Sequence, residues 1–111
     1  MADIQTNSRR KTTYGPLAAT NRYIIGDFSE GALGARKVGV SIDLNGGTLT
    51  FTFQGRVPGS ANWLDIRATP LSTGTVATGG TATENWQVDA EGLELAINVT
   101  VATGSPRFTW S

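Results

Sequence analysis

Three tryptophans are the side chains of this 111-residue chain best suited to recognising another molecule: Trp63, Trp86 and Trp110. An indole face can stack on a sugar ring in solvent, or the same indole can bury roughly 150–250 Å² in a core. Each of the three lies in or beside a stretch where apolar and polar residues alternate, which favours packing in the core or at a subunit interface over contact with a glycan. Trp63 directly follows a Pro-Gly-Ser-Ala-Asn turn. We therefore interpret Trp63 as a wedge that closes one end of a β core.

A run of basic residues near the start of the chain is a second candidate for recognition. It consists of Arg9, Arg10 and Lys11. Three charges without interleaved aromatic residues are a weak signature for nucleic acid, so we expect no nucleic-acid partner. The two remaining interpretations are a solvated terminus and a contact with an acidic protein surface.

The residue types argue against an enzyme, a metal site or a bound cofactor. The chain contains no cysteine and no histidine, which removes thiol nucleophiles, imidazole bases and thiolate zinc sites. Asp89, Glu91 and Glu94 cluster, but calcium needs six to eight oxygens and this spacing matches no calcium loop, so we interpret the cluster as a polar turn. The sequence therefore predicts a binding or structural protein.

The elements that must position these side chains are predicted to be β-strands. Apolar residues alternate with polar ones through most of the chain from Val38 onward, and Asn45-Gly46-Gly47 is a strong hairpin signal. We predict an antiparallel β-sandwich, jelly-roll or Ig-like, of about six to eight strands over residues 38–111. The side chains expected to face its core are Val40, Ile42, Phe51, Phe53, Ile66, Leu95, Ile97 and Val99. One predicted strand contains five apolar residues at strict period 2, namely Leu93, Leu95, Ile97, Val99 and Val101.

Residues 1–37 lack this periodicity and are predicted to form an extended arm, in which only Arg22 to Phe28 looks capable of forming a strand. They contain six basic and three acidic residues, a net charge of +3, whereas residues 38–111 carry −3. A segment with few ways to bury its own backbone polar groups is expected to order against partners. The first residues lack the apolar run of a signal peptide, and no stretch approaches the roughly 20 apolar residues that span a bilayer, so we expect no membrane partner.

From Val38 to Trp110 the chain resembles a β-sandwich module that recurs in virion proteins of tailed bacteriophages. The resemblance rests on core and turn positions, although the insertion of Arg56-Val57-Pro58 departs from the compact turn of that module. The matching residues are Phe53, Gly55, Trp63, Gly92, Leu93, Leu95, Val99 and Gly104. The resemblance implies a small structural virion protein.

Because the chain holds only this module and an arm, it most resembles a capsid decoration (cement) protein, which stabilises an assembled head. That resemblance implies synthesis in the host cytoplasm, a place on the capsid surface, and contacts with the major capsid protein and neighbouring copies, with a homotrimer as the expected oligomer. The arm would dock, with Arg9, Arg10 and Lys11 meeting acidic groups. Its apolar anchors would be Tyr14, Leu17, Tyr23, Ile24, Ile25 and Phe28. The alternative is a carbohydrate-binding or attachment module of a tail or fibre.

Overall fold

The computed structural model describes residues 2–29 and 37–111, which form eleven β-strands and no helix. The strands of two residues are too short to show a period of their own in the sequence. The strands are β1 (Ala2–Gln5), β2 (Thr13–Tyr14), β3 (Asn21–Asp27), β4 (Lys37–Asp43), β5 (Thr48–Arg56), β6 (Leu64–Asp65), β7 (Ala68–Pro70), β8 (Gly79–Gly80), β9 (Glu84–Asp89), β10 (Glu94–Thr103) and β11 (Arg107–Trp110).

The strands form two sheets that pack against each other, which confirms the predicted all-β class. The first sheet has the order β1-β3-β10-β5-β6, with β8 also paired to β5. The second sheet has the order β2-β11-β4-β9-β7. Pairing is antiparallel except between β1 and β3, which run parallel.

The long strands alternate between the sheets along the chain: β3, β5 and β10 belong to the first sheet, and β4, β9 and β11 belong to the second. The predicted hairpin at Asn45-Gly46 is therefore wrong, because β4 pairs with β9 and β11 while β5 pairs with β10. The turn itself is present, with positive φ at Asn45 (50°) and Gly46 (79°). The turn carries the chain from the second sheet to the first. The alternation of apolar residues in β4 and β5 would be the same in a hairpin, so the sequence pattern cannot distinguish the two arrangements.

The core lies between the sheets and is built from the alternating residues of the long strands. Seven of the eight predicted core residues are buried, whereas Ile66 is partly buried and packs against the core. Val101 follows Ile97 and Val99 at period 2 in the sequence, yet it is 51% exposed. The pairing of β10 with β5 shifts register between Val99 and Val101, and such a bulge moves the following side chains to the other face.

The N-terminal residues belong to this fold, so the predicted extended arm over residues 1–37 is wrong for residues 2–29. β1 and β3 are part of the first sheet and β2 is part of the second. The radius of gyration is 12.6 Å, close to the roughly 13 Å of a compact domain of this length. The part of the predicted arm at 30–36 lies outside the described residues.

Asp43, the last residue of β4, makes the stability of the fold depend on pH. The carboxylate accepts a hydrogen bond from the backbone N–H of Asn45 (2.8 Å) and pairs with Arg107 (Oδ2 to Nη2, 2.9 Å). These contacts, the Asn45 N–H foremost, lower the pKa of Asp43 from its ordinary value. A carboxyl with a lowered folded pKa stabilises the fold above its unfolded pKa, and that stabilisation is lost as the pH falls through the folded pKa.

We therefore expect Asp43→Asn to lower the melting temperature at pH 7 and to change it little at a pH below the folded pKa of Asp43, where the wild-type carboxyl is also neutral. Melting curves of both proteins from neutral to acid pH measure this. An equal difference at both ends of the range would contradict it.

Candidate functional site

The basic run lies on an exposed turn between β1 and β2. Arg9, Arg10 and Lys11 are all exposed, and none of them has an ion-pair partner within residues 2–29 and 37–111. The turn is held by two backbone hydrogen bonds, from the N–H of Lys11 to the carbonyl of Trp110 (2.7 Å) and from the N–H of Thr12 to the carbonyl of Arg9 (3.1 Å). The fold thus presents three cations on an anchored turn.

The basic turn joins the two strands, β1 and β2, that form the edges of the two sheets on one side of the molecule. β1 is the outer strand of the first sheet and β2 is the outer strand of the second. Tyr14 of β2 contacts Tyr23 of β3 at a centroid distance of 5.9 Å, which places the two edges side by side. In the described chain β1 and β2 each pair with a strand on one side only, so this side combines positive charge with strand edges that can accept another strand.

The predicted apolar anchors are not available for docking, which corrects that part of the sequence prediction. Leu17, Tyr23, Ile25 and Phe28 belong to the core and are at most 3% exposed, and Ile24 is also buried. Tyr14 is half-buried and packs on Phe108 at 5.6 Å as well as on Tyr23. Burial against the chain's own strands removes the surface that docking would need.

Two of the three tryptophans lie in the core. Trp110 packs edge-on against Phe28 at 5.4 Å, and its indole N–H donates to the hydroxyl of Ser8 (3.1 Å). Trp86 packs against Phe51 and Phe53 at 6.0 and 5.4 Å. The buried indole N–H of Trp86 has no acceptor within the described residues. An unsatisfied buried donor of this kind costs about 1–3 kcal/mol.

Trp63 lies elsewhere, on the outer face of the first sheet. Two guanidinium groups lie over its ring, with Cζ of Arg56 at 4.3 Å and Cζ of Arg22 at 5.2 Å from the centroid. Both guanidinium groups are fixed by ion pairs and a hydrogen bond. Arg22 pairs with Asp3 and donates to the side-chain oxygen of Gln54, and Arg56 pairs with Glu94. The interpretation of Trp63 as a wedge in the core is therefore wrong.

The outer face of the first sheet is covered near the middle of β10. Ala96 of β10 points away from the core, between Leu95 and Ile97, yet it is fully buried. Ala96 pairs with Gln54 of β5 and Ile24 of β3, each two residues from an arginine that holds the ring. We infer that the indole crosses β10 at Ala96 and acts as a small outer layer. Sequence reasoning missed the two arginines, because nothing local links positions 22, 56 and 63.

Comparison with known proteins found no matching family model and no matching curated protein. The fold is similar to the crystal structure of the SPBc2 prophage-derived protein YomS, with a TM-score of 0.61 and 19% sequence identity. The similarity covers 90% of this chain and 92% of that one. This similarity shows a shared fold. Because it covers 90% of the chain, it includes residues before Val38 as well as the predicted sandwich of residues 38–111.

The side of the molecule opposite the basic turn carries most of the exposed apolar side chains. Val57 and Leu64 flank the loop between β5 and β6, while Leu71 and Val76 lie in the loop between β7 and β8. Each of the four is more than half exposed. The two sides thus offer different chemistry, with cations at β1 and β2 and apolar groups at β6 to β8.

The acidic cluster of the sequence is divided by the fold. Asp89 pairs with Lys37 across the second sheet (3.5 Å), while Glu94 pairs with Arg56 on the first. Residues 2–29 and 37–111 contain no group of three acidic, histidine or cysteine side chains placed to hold a metal ion. They also contain no helix able to cross a membrane.

We expect Trp63→Ala to destabilise the protein by about 1–3 kcal/mol, because it uncovers Ala96 and removes the ring beneath two guanidinium groups. Urea denaturation followed by circular dichroism measures the loss. Leu64→Ala is the matched control, since Leu64 is 68% exposed and its truncation should change stability by less than about 0.5 kcal/mol. A Trp63→Ala protein as stable as the control would show that the ring does not protect the sheet.

Proposed function

We propose that this chain is a structural virion protein of a tailed phage, specifically a capsid decoration protein on the outer surface of the head. The observation that carries the proposal is the fold that the chain shares, over nine-tenths of its length, with a prophage-derived protein. The motif resemblance from Phe53 to Gly104 supports the same class, with the two sheets forming the β-sandwich of such virion proteins. The proposed role is binding without catalysis, and the partners are the major capsid protein and neighbouring copies, with a trimer as the proposed assembly.

The proposed docking element is the side of the molecule that carries the basic turn. Arg9, Arg10 and Lys11 are presented by backbone anchors and lack acidic partners in the described chain, so they can pair with carboxylates of a capsid subunit. The free edges of β1 and β2 lie beside them and can accept an extended capsid segment through main-chain hydrogen bonds. This docking element differs from the predicted arm, since it belongs to a folded domain.

The test is binding of the purified protein to phage heads assembled without it. We expect the wild-type protein to bind and to raise the temperature at which the heads release DNA. The variant Arg9→Glu/Arg10→Glu/Lys11→Glu should fold normally, since all three side chains are exposed, and should bind at least about tenfold more weakly. Wild-type binding should also weaken as salt is raised, because exposed charges are screened.

Arg67→Glu is the control variant, because Arg67 is exposed and lies between β6 and β7, on the other side of the molecule. It should bind heads like the wild type. Loss of binding in both variants would indicate a general effect of charge and would reject the basic turn as the docking element. Binding to purified tails or glycans and not to heads would replace the proposal with the alternative, an attachment module of a tail or fibre.

A further inference from the structure

A hollow of about 320 Å³ lies between the loop that joins β7 to β8 and the start of β9. Pro70, Ala77 and the indole of Trp86 contribute apolar surface to its lining. Hydroxyl groups of Ser72, Thr75 and Thr81 also line it, and none of these hydroxyls has a hydrogen-bond partner within the described residues. The hollow thus combines apolar and hydroxyl groups at the size of a small-ligand site.

The charges of the lining restrict the chemistry of a ligand. Glu84 is the one ionisable side chain among the lining residues, and no cation accompanies it. One carboxylate oxygen of Glu84 accepts the backbone N–H of Ser72 (2.8 Å), which leaves the other oxygen free to accept a hydrogen bond. A phosphate or carboxylate ligand would be repelled by this group, whereas a neutral hydroxyl group could donate to it.

Trp86 supplies a further observation at the same place. Its indole edge lies against the backbone of Gly80, where an added Cβ would be 3.2 Å from the ring atom Cζ2. Its N–H is buried and lacks an acceptor in the described chain. Of the two core tryptophans, Trp86 lines this hollow, whereas Trp110 does not line it and donates its indole N–H to Ser8. The indole N–H of Trp63 is likewise buried without an acceptor in the described chain, so the contact of the Trp86 ring with the hollow carries the argument.

We propose that this hollow binds a neutral sugar, with one pyranose ring as the unit recognised. A pyranose carries an apolar C–H face, which suits Pro70, Ala77 and the indole, and several hydroxyl groups, which suit the threonines and Glu84. This inference does not depend on docking to a capsid, and it places glycan recognition at Trp86 and not at Trp63, whose ring lies beneath two arginines.

The test is a titration of the full-length protein with glucose, galactose, mannose and N-acetylglucosamine, followed by NMR of the indole N–H groups. The three tryptophans give three separate signals. We expect one sugar to shift the Trp86 signal with a dissociation constant on the order of 1 mM, while the signals of Trp63 and Trp110 stay in place.

Ala82→Phe should weaken binding at least about tenfold, because Ala82 is exposed, lines the hollow, and can be enlarged without disturbing the core. Ala19→Phe is the matched control at an exposed alanine elsewhere and should bind normally. The proposal is overturned if none of the sugars moves the Trp86 signal, if a sugar moves the Trp63 signal alone, or if Ala82→Phe binds as tightly as Ala19→Phe. None of these results bears on binding to heads.

Discussion

A chain that begins at Val38 should not fold. Such a chain lacks β3, which lies between β1 and β10 in the first sheet, and it lacks four side chains of the core. These are Leu17, Tyr23, Ile25 and Phe28. Removing one large buried side chain costs about 2–5 kcal/mol, so losing four costs about 8–20 kcal/mol, as much as or more than the roughly 5–15 kcal/mol that stabilises a typical domain. Circular dichroism and thermal unfolding of the truncated chain should show no cooperative transition.

A chain that begins at Thr6 is the control for this truncation. It loses only β1, whose residues are exposed or half-buried, together with the ion pair between Asp3 and Arg22. We expect it to fold with a loss on the order of 1–3 kcal/mol. Phe28→Ala in the full-length chain should cost about 3–5 kcal/mol, which links the effect of truncation to the core. Cooperative unfolding of the chain from Val38 near the full-length melting temperature would show that residues 2–29 form a separate arm.

The role of residues 2–29 in folding determines which variants can test docking to heads. If residues 2–29 are needed for folding, loss of head binding in a truncated protein reports unfolding and does not identify the docking element. Substitutions on the exposed turn of Arg9, Arg10 and Lys11 avoid that ambiguity, because they leave the core residues of the same segment in place.

Gly47→Ala should destabilise the protein far more than Gly46→Ala. A Cβ on Gly47 would lie 2.1 Å from the carbonyl oxygen of Thr103 and 3.2 Å from Cα of Gly104, so the turn after β4 and the turn after β10 would have to separate. A Cβ on Gly46 meets no atom within 4 Å, and its cost is the left-handed backbone at a φ of 79°. We expect about 1–2 kcal/mol for Gly46→Ala and at least about 3 kcal/mol for Gly47→Ala.

Thermal unfolding of the two variants at pH 7 measures this difference. A loss of 3 kcal/mol corresponds to a fall of roughly 10–20 °C in melting temperature for a protein of this size. A two-residue Asn-Gly hairpin would give the opposite order, because its tight turn depends on Gly46. Equal losses, or a larger loss for Gly46→Ala, would therefore contradict the contact between the two turns.

Some features of this protein follow from the sequence alone. Period-2 alternation determines which faces of β4 and β5 point to the core, because burying Ile42 or Phe53 is favourable in proportion to its own apolar area, whichever strand lies beside it. The absence of cysteine and histidine limits the available chemistry in the same direct way. The exposure of the basic run follows from the cost of burying three like charges.

Other features were decided only by the tertiary structure. A turn such as Asn45-Gly46 has the same local conformation whether the next strand pairs beside the first or crosses to the facing sheet, and only the competing strands β9, β10 and β11 decide which occurs. The sequence predicts Arg22 to Phe28 as a strand-like patch of an arm and does not place it in the sandwich, because its partner strand β10 lies far away along the chain. Trp63 likewise lies on the outer face because Arg22 and Arg56 hold it there, and β3 and β5 become neighbours of β10 only after folding.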